Sequence, residues 1–68
     1  MEKIEFEAEV IAAKDLLKAL DIIPSGGMAK QIIKNEGVLI NGEVSYVPGK
    51  KLYKNDTLEF DNFIITII

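Results

Sequence analysis

The sequence predicts an α+β domain in which two short helices accompany a small, mostly antiparallel sheet with an added N-terminal strand. Three observations carry that expectation. Apolar and acidic residues alternate near the N-terminus, apolar residues recur at helical spacing on both sides of Pro24, and tight-turn sequences divide the remainder into short β-rich runs.

Ile4, Phe6, Ala8 and Val10 alternate with Glu5, Glu7 and Glu9, the period of a half-buried strand. The glutamate row is expected to be a solvated face that also blunts an edge against stray pairing. Ala13, Leu16, Leu17 and Leu20 then follow the i, i+3, i+4, i+7 spacing of an amphipathic helix. Pro24 disfavours helix at Ile23, so this first helix is short. Ser25 follows, with an oxygen able to accept from the free N–H groups of a second helix. That helix spans about Gly26 to Asn35, and Gly37 suits a left-handed C-cap.

Val38-Leu39-Ile40, Asn41-Gly42 and Glu43-Val44-Ser45-Tyr46 form a hairpin pattern, because Asn-Gly tolerates the positive φ angles of a type I′ turn. Pro48-Gly49 ends the strand. Leu52 and Tyr53 precede a turn at Lys54-Asn55-Asp56. Thr57 to Phe60 and Phe63 to Ile68 supply two further strands around Asp61-Asn62. The last run, Phe63-Ile64-Ile65-Thr66-Ile67-Ile68, would be an aggregation hazard if exposed. It is expected in the interior of the sheet, beside the first strand.

Sixty-eight residues fit one domain, taken as residues 1–68, with a small core. A composition 49% hydrophobic and 28% charged is that of a folding chain, not a disordered one. Cysteine is absent, so neither disulfides nor a thiolate metal site can supplement the core, and nothing points to an oxidising compartment. The charged N-terminus lacks the apolar run of a signal peptide, and no apolar run approaches the ~20 residues that span a bilayer. The cytoplasm is therefore the expected location, without a membrane partner.

Catalytic equipment is sparse. Without His or Cys, the usual general base, thiol nucleophile and zinc ligands are missing. No Gly-Lys-Ser/Thr loop for nucleotide phosphates is present, and the chain lacks the Gly-Gly terminus of a ubiquitin-like carrier. Asp56, Glu59 and Asp61 read as turn formers and solubilisers, without the spacing of a calcium loop. No enzyme activity, cofactor, metal or small-molecule substrate is expected.

The net charge of −3 conceals a polarised distribution. Residues 14–54 hold seven lysines against four carboxylates, a net of +3, whereas residues 1–13 and 55–68 each carry −3. Local field, not the total, steers a polyanion. On the second helix, Met28, Ala29, Ile32 and Ile33 fall on one arc, and Gly27, Lys30, Gln31 and Lys34 on the other. Lys30 and Lys34 at i, i+4 repel each other, a repulsion that a polyanion reverses. Gly26 and Gly27 leave the first-turn N–H groups bare for phosphate, although glycine there costs about 1 kcal/mol of helix propensity relative to alanine. A purely structural reading has these glycines relieving crowding after Pro24.

The run Leu16-Leu17…Leu20…Ser25-Gly26-Gly27-Met28-Ala29-Lys30…Ile33…Gly37-Val38-Leu39-Ile40-Asn41-Gly42-Glu43…Lys51-Leu52…Asn55-Asp56…Leu58 resembles the S4-like RNA-binding domain, or αL motif. The Ser-Gly-Gly-Met-Ala-Lys variant looks most like the small stand-alone bacterial members of the YaaA type. The likeness covers about residues 12–60. It implies two short helices packed on the sheet, with RNA along the second helix and the following hairpin. By position, Ser25 would cap the helix, Lys30 and Lys34 would contact phosphate, and Asn41-Gly42 would form the turn beside the RNA. Lys14 would stand near the basic start of the first helix. Gln31, Lys50 and Lys51 complete the candidate surface. Larger members commonly carry arginine where this chain has Gly26, and the family's Gly-Asp is here Asn55-Asp56, a mild change because asparagine tolerates left-handed turns.

All eight basic residues are lysine, a point charge on phosphate without arginine's bidentate fork. Recognition by backbone and shape is expected, as A-form RNA is largely read. Phe6, Phe60 and Phe63 fit strand-core positions; only Tyr46 and Tyr53 are candidate stacking platforms, and packing at the core or rim suits both better. The expected partner is structured RNA, ribosomal RNA or a ribosome-assembly intermediate, with a protein partner or larger ribonucleoprotein assembly as a further possibility. The competing expectation is a protein-interaction module that retains the fold with little RNA affinity, supported by the acidic total, the glutamate row and the missing arginine.

Overall fold

A computed structural model describes residues 1–68. In chain order the elements are β1 (Glu2–Phe6), β2 (Val10–Ala12), α1 (Ala13–Ala19), α2 (Gly26–Glu36), β3 (Val38–Ile40), β4 (Glu43–Ser45), β5 (Lys51–Tyr53), β6 (Thr57–Phe60) and β7 (Phe63–Ile67). Five strands form one sheet in the order β1-β7-β6-β3-β4, and β2 and β5 form a second, two-stranded sheet. Only the β1/β7 pairing is parallel. The α+β expectation therefore holds, with β7 inside the sheet between β1 and β6, and β1 and β4 as the edges.

The register puts Ile4, Ile65, Leu58 and Ile40 side by side across four strands. With Leu16 and Leu17 of α1, Ala29 and Ile33 of α2 and Leu52 of β5, the last three of these belong to a single buried cluster, against which Ile4 packs. Each fully buried Leu or Ile contributes about 1.5–3 kcal/mol of transfer free energy. In so small a chain this core fixes how the helices sit against the sheet.

The N-terminal alternation is interrupted. Instead of one strand over Ile4 to Val10, β1 ends at Phe6. Pairing with the β7 segment lasts through the Ile68 N–H to Phe6 O bond at 2.9 Å and the Ala8 N–H to Ile68 O bond at 3.2 Å. The chain then changes partner, and Val10, Ile11 and Ala12 pair with Tyr53, Leu52 and Lys51. That switch puts Ile11 against the core and leaves Val10 48% exposed.

Helix α1 has no side-chain cap at Ala12. Its first N–H groups are instead taken by a distant loop: Ala13 N–H donates to Lys50 O at 2.9 Å and Lys14 N–H to Pro48 O at 3.1 Å. Asp21, at φ 57, provides the left-handed residue that ends the helix.

Helix α2 ends at Gly37, which has positive φ as expected, but its φ of 80 and ψ of 167 lie in an extended region essentially reserved for glycine, not the left-handed helical one. A Cβ there would also stand 3.0 Å from both the Tyr46 ring and a Val44 methyl. Glycine lets the chain pass from α2 directly into β3. Of the expected packing arc, Ala29 and Ile33 are buried and Ile32 packs against the core, while Met28 departs from it at 50% exposed.

Candidate nucleic-acid interface

Ser25 caps α2 as its position suggests. Its backbone is extended, its Oγ accepts from Met28 N–H at 3.1 Å, and its carbonyl accepts from Ala29 N–H at 3.0 Å. The N–H groups of Gly26 and Gly27 have no protein acceptor. Neither glycine has positive φ. A Cβ on Gly27 would meet nothing within 4 Å, and one on Gly26 only Lys18 Cδ at 4.0 Å. Packing does not demand these glycines, so relief of crowding does not account for them.

Gly26, Lys30 and Lys34 lie four residues apart along one ridge of α2. Lys30, Gln31 and Lys34 are exposed. Lys18 of α1, absent from the sequence-derived site, reaches this ridge where its methylene chain lies beside Gly26. Its four-residue spacing from Lys14 was the available signal.

A second basic group gathers at the start of α1. Lys14 is tied there by its backbone bond to Pro48, Lys50 by its carbonyl bond to Ala13, and Lys51 by its register opposite Ala12. Lys14 also approaches Asp15 at 3.5 Å, an exposed pair that contributes little. Through Lys14 and Lys18, α1 links the two basic groups.

The Asn41-Gly42 turn has φ of 52 and 86, as a type I′ hairpin requires, and Ile40 pairs with Glu43 across it. The side chain of Asn41 is committed within the protein. Oδ1 accepts from Thr57 N–H at 2.9 Å, and Nδ2 donates to Asp56 Oδ1 at 3.1 Å. The backbone of the turn, with the open Gly42, is what remains for a ligand. A shallow groove beside it is lined by Asn41, Glu43, Ser45 and Lys50, so one carboxylate accompanies the lysine. The Tyr53 N–H, the Asn41 amide and, more weakly, Lys50 hold the Asp56 carboxyl below its ordinary range.

Tyr46 and Tyr53 sit at the rim, each just over half exposed. Phe6 and Phe60 pack against the core, and Phe63 is half-buried. No helix is long and apolar enough to cross a membrane.

A family model described as the S4 domain matches residues 4–68. The chain is also 40% identical over 60 residues to the probable ribosome maturation protein RlbA of Bacillus subtilis (strain 168), an alignment that covers 88% of this chain and 84% of that relative. The helix pair, the Ser25-capped α2 and the Asn41-Gly42 hairpin thus have a common source: the chain belongs to the S4 domain family.

Proposed function

We propose that this S4 domain is a non-enzymatic module that binds structured RNA by its backbone and shape, with ribosomal RNA or a ribosome-assembly intermediate as target. The observation that carries the reading is the lysine path. Lys50, Lys51 and Lys14 gather at one end of α1, Lys18 lies beside Gly26, and Lys30 and Lys34 continue along α2 from two unclaimed backbone N–H groups. Those N–H groups and the positive end of the helix dipole suit a phosphate, and the lysines suit its neighbours along the chain. The name of the Bacillus relative supports a target connected with ribosome maturation, and hence work in the cytoplasm.

Titration of a structured RNA at several salt concentrations tests the proposal. Neutralising four or five phosphates gives a slope of log K against log salt of about −3 to −4. The double change Lys30→Glu with Lys34→Glu is expected to abolish binding. Salt-independent binding, or an unaffected double variant, would instead favour a protein-interaction module built on the same fold.

A further inference from the structure

Across the five-stranded sheet, one row of residues faces away from the core: Val44, Leu39, Glu59, Ile64 and Lys3 are successive cross-strand partners. At the β4 end of this row, Leu39 and Val44 are 38% and 56% exposed, and with Phe60 they line an open groove. Its remaining lining includes Glu36, Glu59 and Asp61, with no lysine and a single cation, the N-terminal ammonium of Met1. None of these carboxylates is neutralised by an ion pair, since the molecule's one salt bridge joins Lys14 and Asp15.

The groove borders an unpaired edge. In a hairpin closed by two residues, Ile40/Glu43 and Val38/Ser45 exchange backbone bonds, which leaves the Val44 N–H and C=O directed away from β3. No strand covers β4 on that side. A strand paired to that edge would stand three strands from Glu59, so a segment that fills the groove enters from the open β4 side and lies over the sheet face.

Charge chooses the occupant. A two-fold contact between copies would bring one set of these carboxylates close to another, and like charges so placed oppose association. RNA is repelled for the same reason. We propose that the groove docks a lysine- or arginine-rich extended segment of a partner protein. Apolar side chains of the segment rest on Leu39 and Val44, and its cations face Glu36, Glu59 and Asp61. This surface is distinct from the lysine path, so it stands whether or not RNA binds there.

The test uses the whole chain, 15N-labelled, with a dodecapeptide of repeated Lys-Lys-Val-Val as probe, which shows both residue types on each face when extended, and a repeated Glu-Glu-Val-Val peptide as its control. Amide shifts on addition of the basic peptide are expected at Leu39, Val44 and Glu59–Asp61, while the acidic peptide produces none. Glu36→Lys combined with Glu59→Lys is expected to lower affinity at least tenfold, and the helix-end change Glu36→Lys alone at least threefold; Lys30→Glu leaves it unchanged. No binding, equal binding of the acidic peptide, shifts centred on the Glu5/Glu7/Glu9 strand, or unchanged affinity in the exposed Glu36→Lys variant would overturn the proposal. So would sedimentation showing a dimer whose contact shifts map to this groove.

Discussion

Asn41 Nδ2 donates to Asp56 Oδ1 at 3.1 Å, joining two turns fifteen residues apart in sequence. The same Asn41 receives the Thr57 N–H on Oδ1, and the other Asp56 oxygen receives Tyr53 N–H at 2.7 Å. The Asn41-Gly42 hairpin is thus anchored to the start of β6. Asn41→Gly keeps the positive φ of the turn and removes the amide. Loss of these partly exposed bonds is expected to cost about 1 kcal/mol, a fall in Tm of about 4–8 °C for a domain of this size. A thermal melt in which Asn41→Gly matches the native chain would show that the clasp is decorative.

The Asp56 carboxyl makes stability depend on acidity. Its bonds from Tyr53 and Asn41 lower its folded pKa below the usual 3.8, so the folded state binds this proton less readily than the unfolded chain. The resulting stabilisation is present above pH 4 and disappears as pH falls through the folded pKa. Urea unfolding of the native chain and Asp56→Asn should therefore differ most near neutral pH and converge in strong acid. A constant gap between the two across that range would contradict the assignment.

Local features of this chain were legible because their cause is local. Ser25 needs only the N–H three residues ahead, and Asn41-Gly42 needs only its own φ angles. The pairing of Val10–Ala12 with Lys51–Tyr53 could not be read in that way, because strict alternation reports which face a residue occupies, not where the chain changes partner. The capping of α1 by Pro48 and Lys50 was similarly hidden. Its trace was negative: an Ala12-Ala13 start offers no side-chain oxygen, so the free N–H groups had to find one elsewhere. The place of Lys18 beside Gly26 is set by the packing of α1 against α2, which residue spacing does not report.

Gly27 separates stability from binding. Its backbone does not require glycine, and an added methyl meets nothing. Gly27→Ala should raise stability by about 0.5–1 kcal/mol through helix propensity and a less flexible unfolded chain. The same methyl obstructs close approach to the free N–H groups, so RNA affinity should fall by about fivefold, on the order of 1 kcal/mol. Denaturation and RNA titration on one preparation read both effects. Tighter or unchanged RNA binding would remove the α2 N-terminus from the interface.

Lys18 carries a prediction that sequence alone did not suggest. Lys18→Gln should reduce the steepness of the salt dependence by about 0.7–0.9, the value of one phosphate contact. Lys3→Gln is the control, because Lys3 belongs to the outward row of the sheet on β1, away from the lysine path. Equal slopes for the two variants would mean that Lys18 merely lies over Gly26.

Gly37 combines two constraints that a double variant can separate. Gly37→Ala imposes its φ of 80 and ψ of 167 on a residue with a Cβ, a strain of about 1–3 kcal/mol. It also pushes the new methyl to 3.0 Å from the Tyr46 ring and the Val44 methyl. Tyr46 and Val44 are 54% and 56% exposed and their side chains have room to turn outward, so most of the cost lies in the backbone. Gly37→Ala is therefore expected to cost about 2–4 kcal/mol in urea unfolding, near the top of the range for a single substitution. Adding Tyr46→Ala should recover about 0.5–1 kcal/mol of coupling and no more. Full recovery would assign the whole cost to the ring, and the backbone path from α2 into β3 would then be open to any residue.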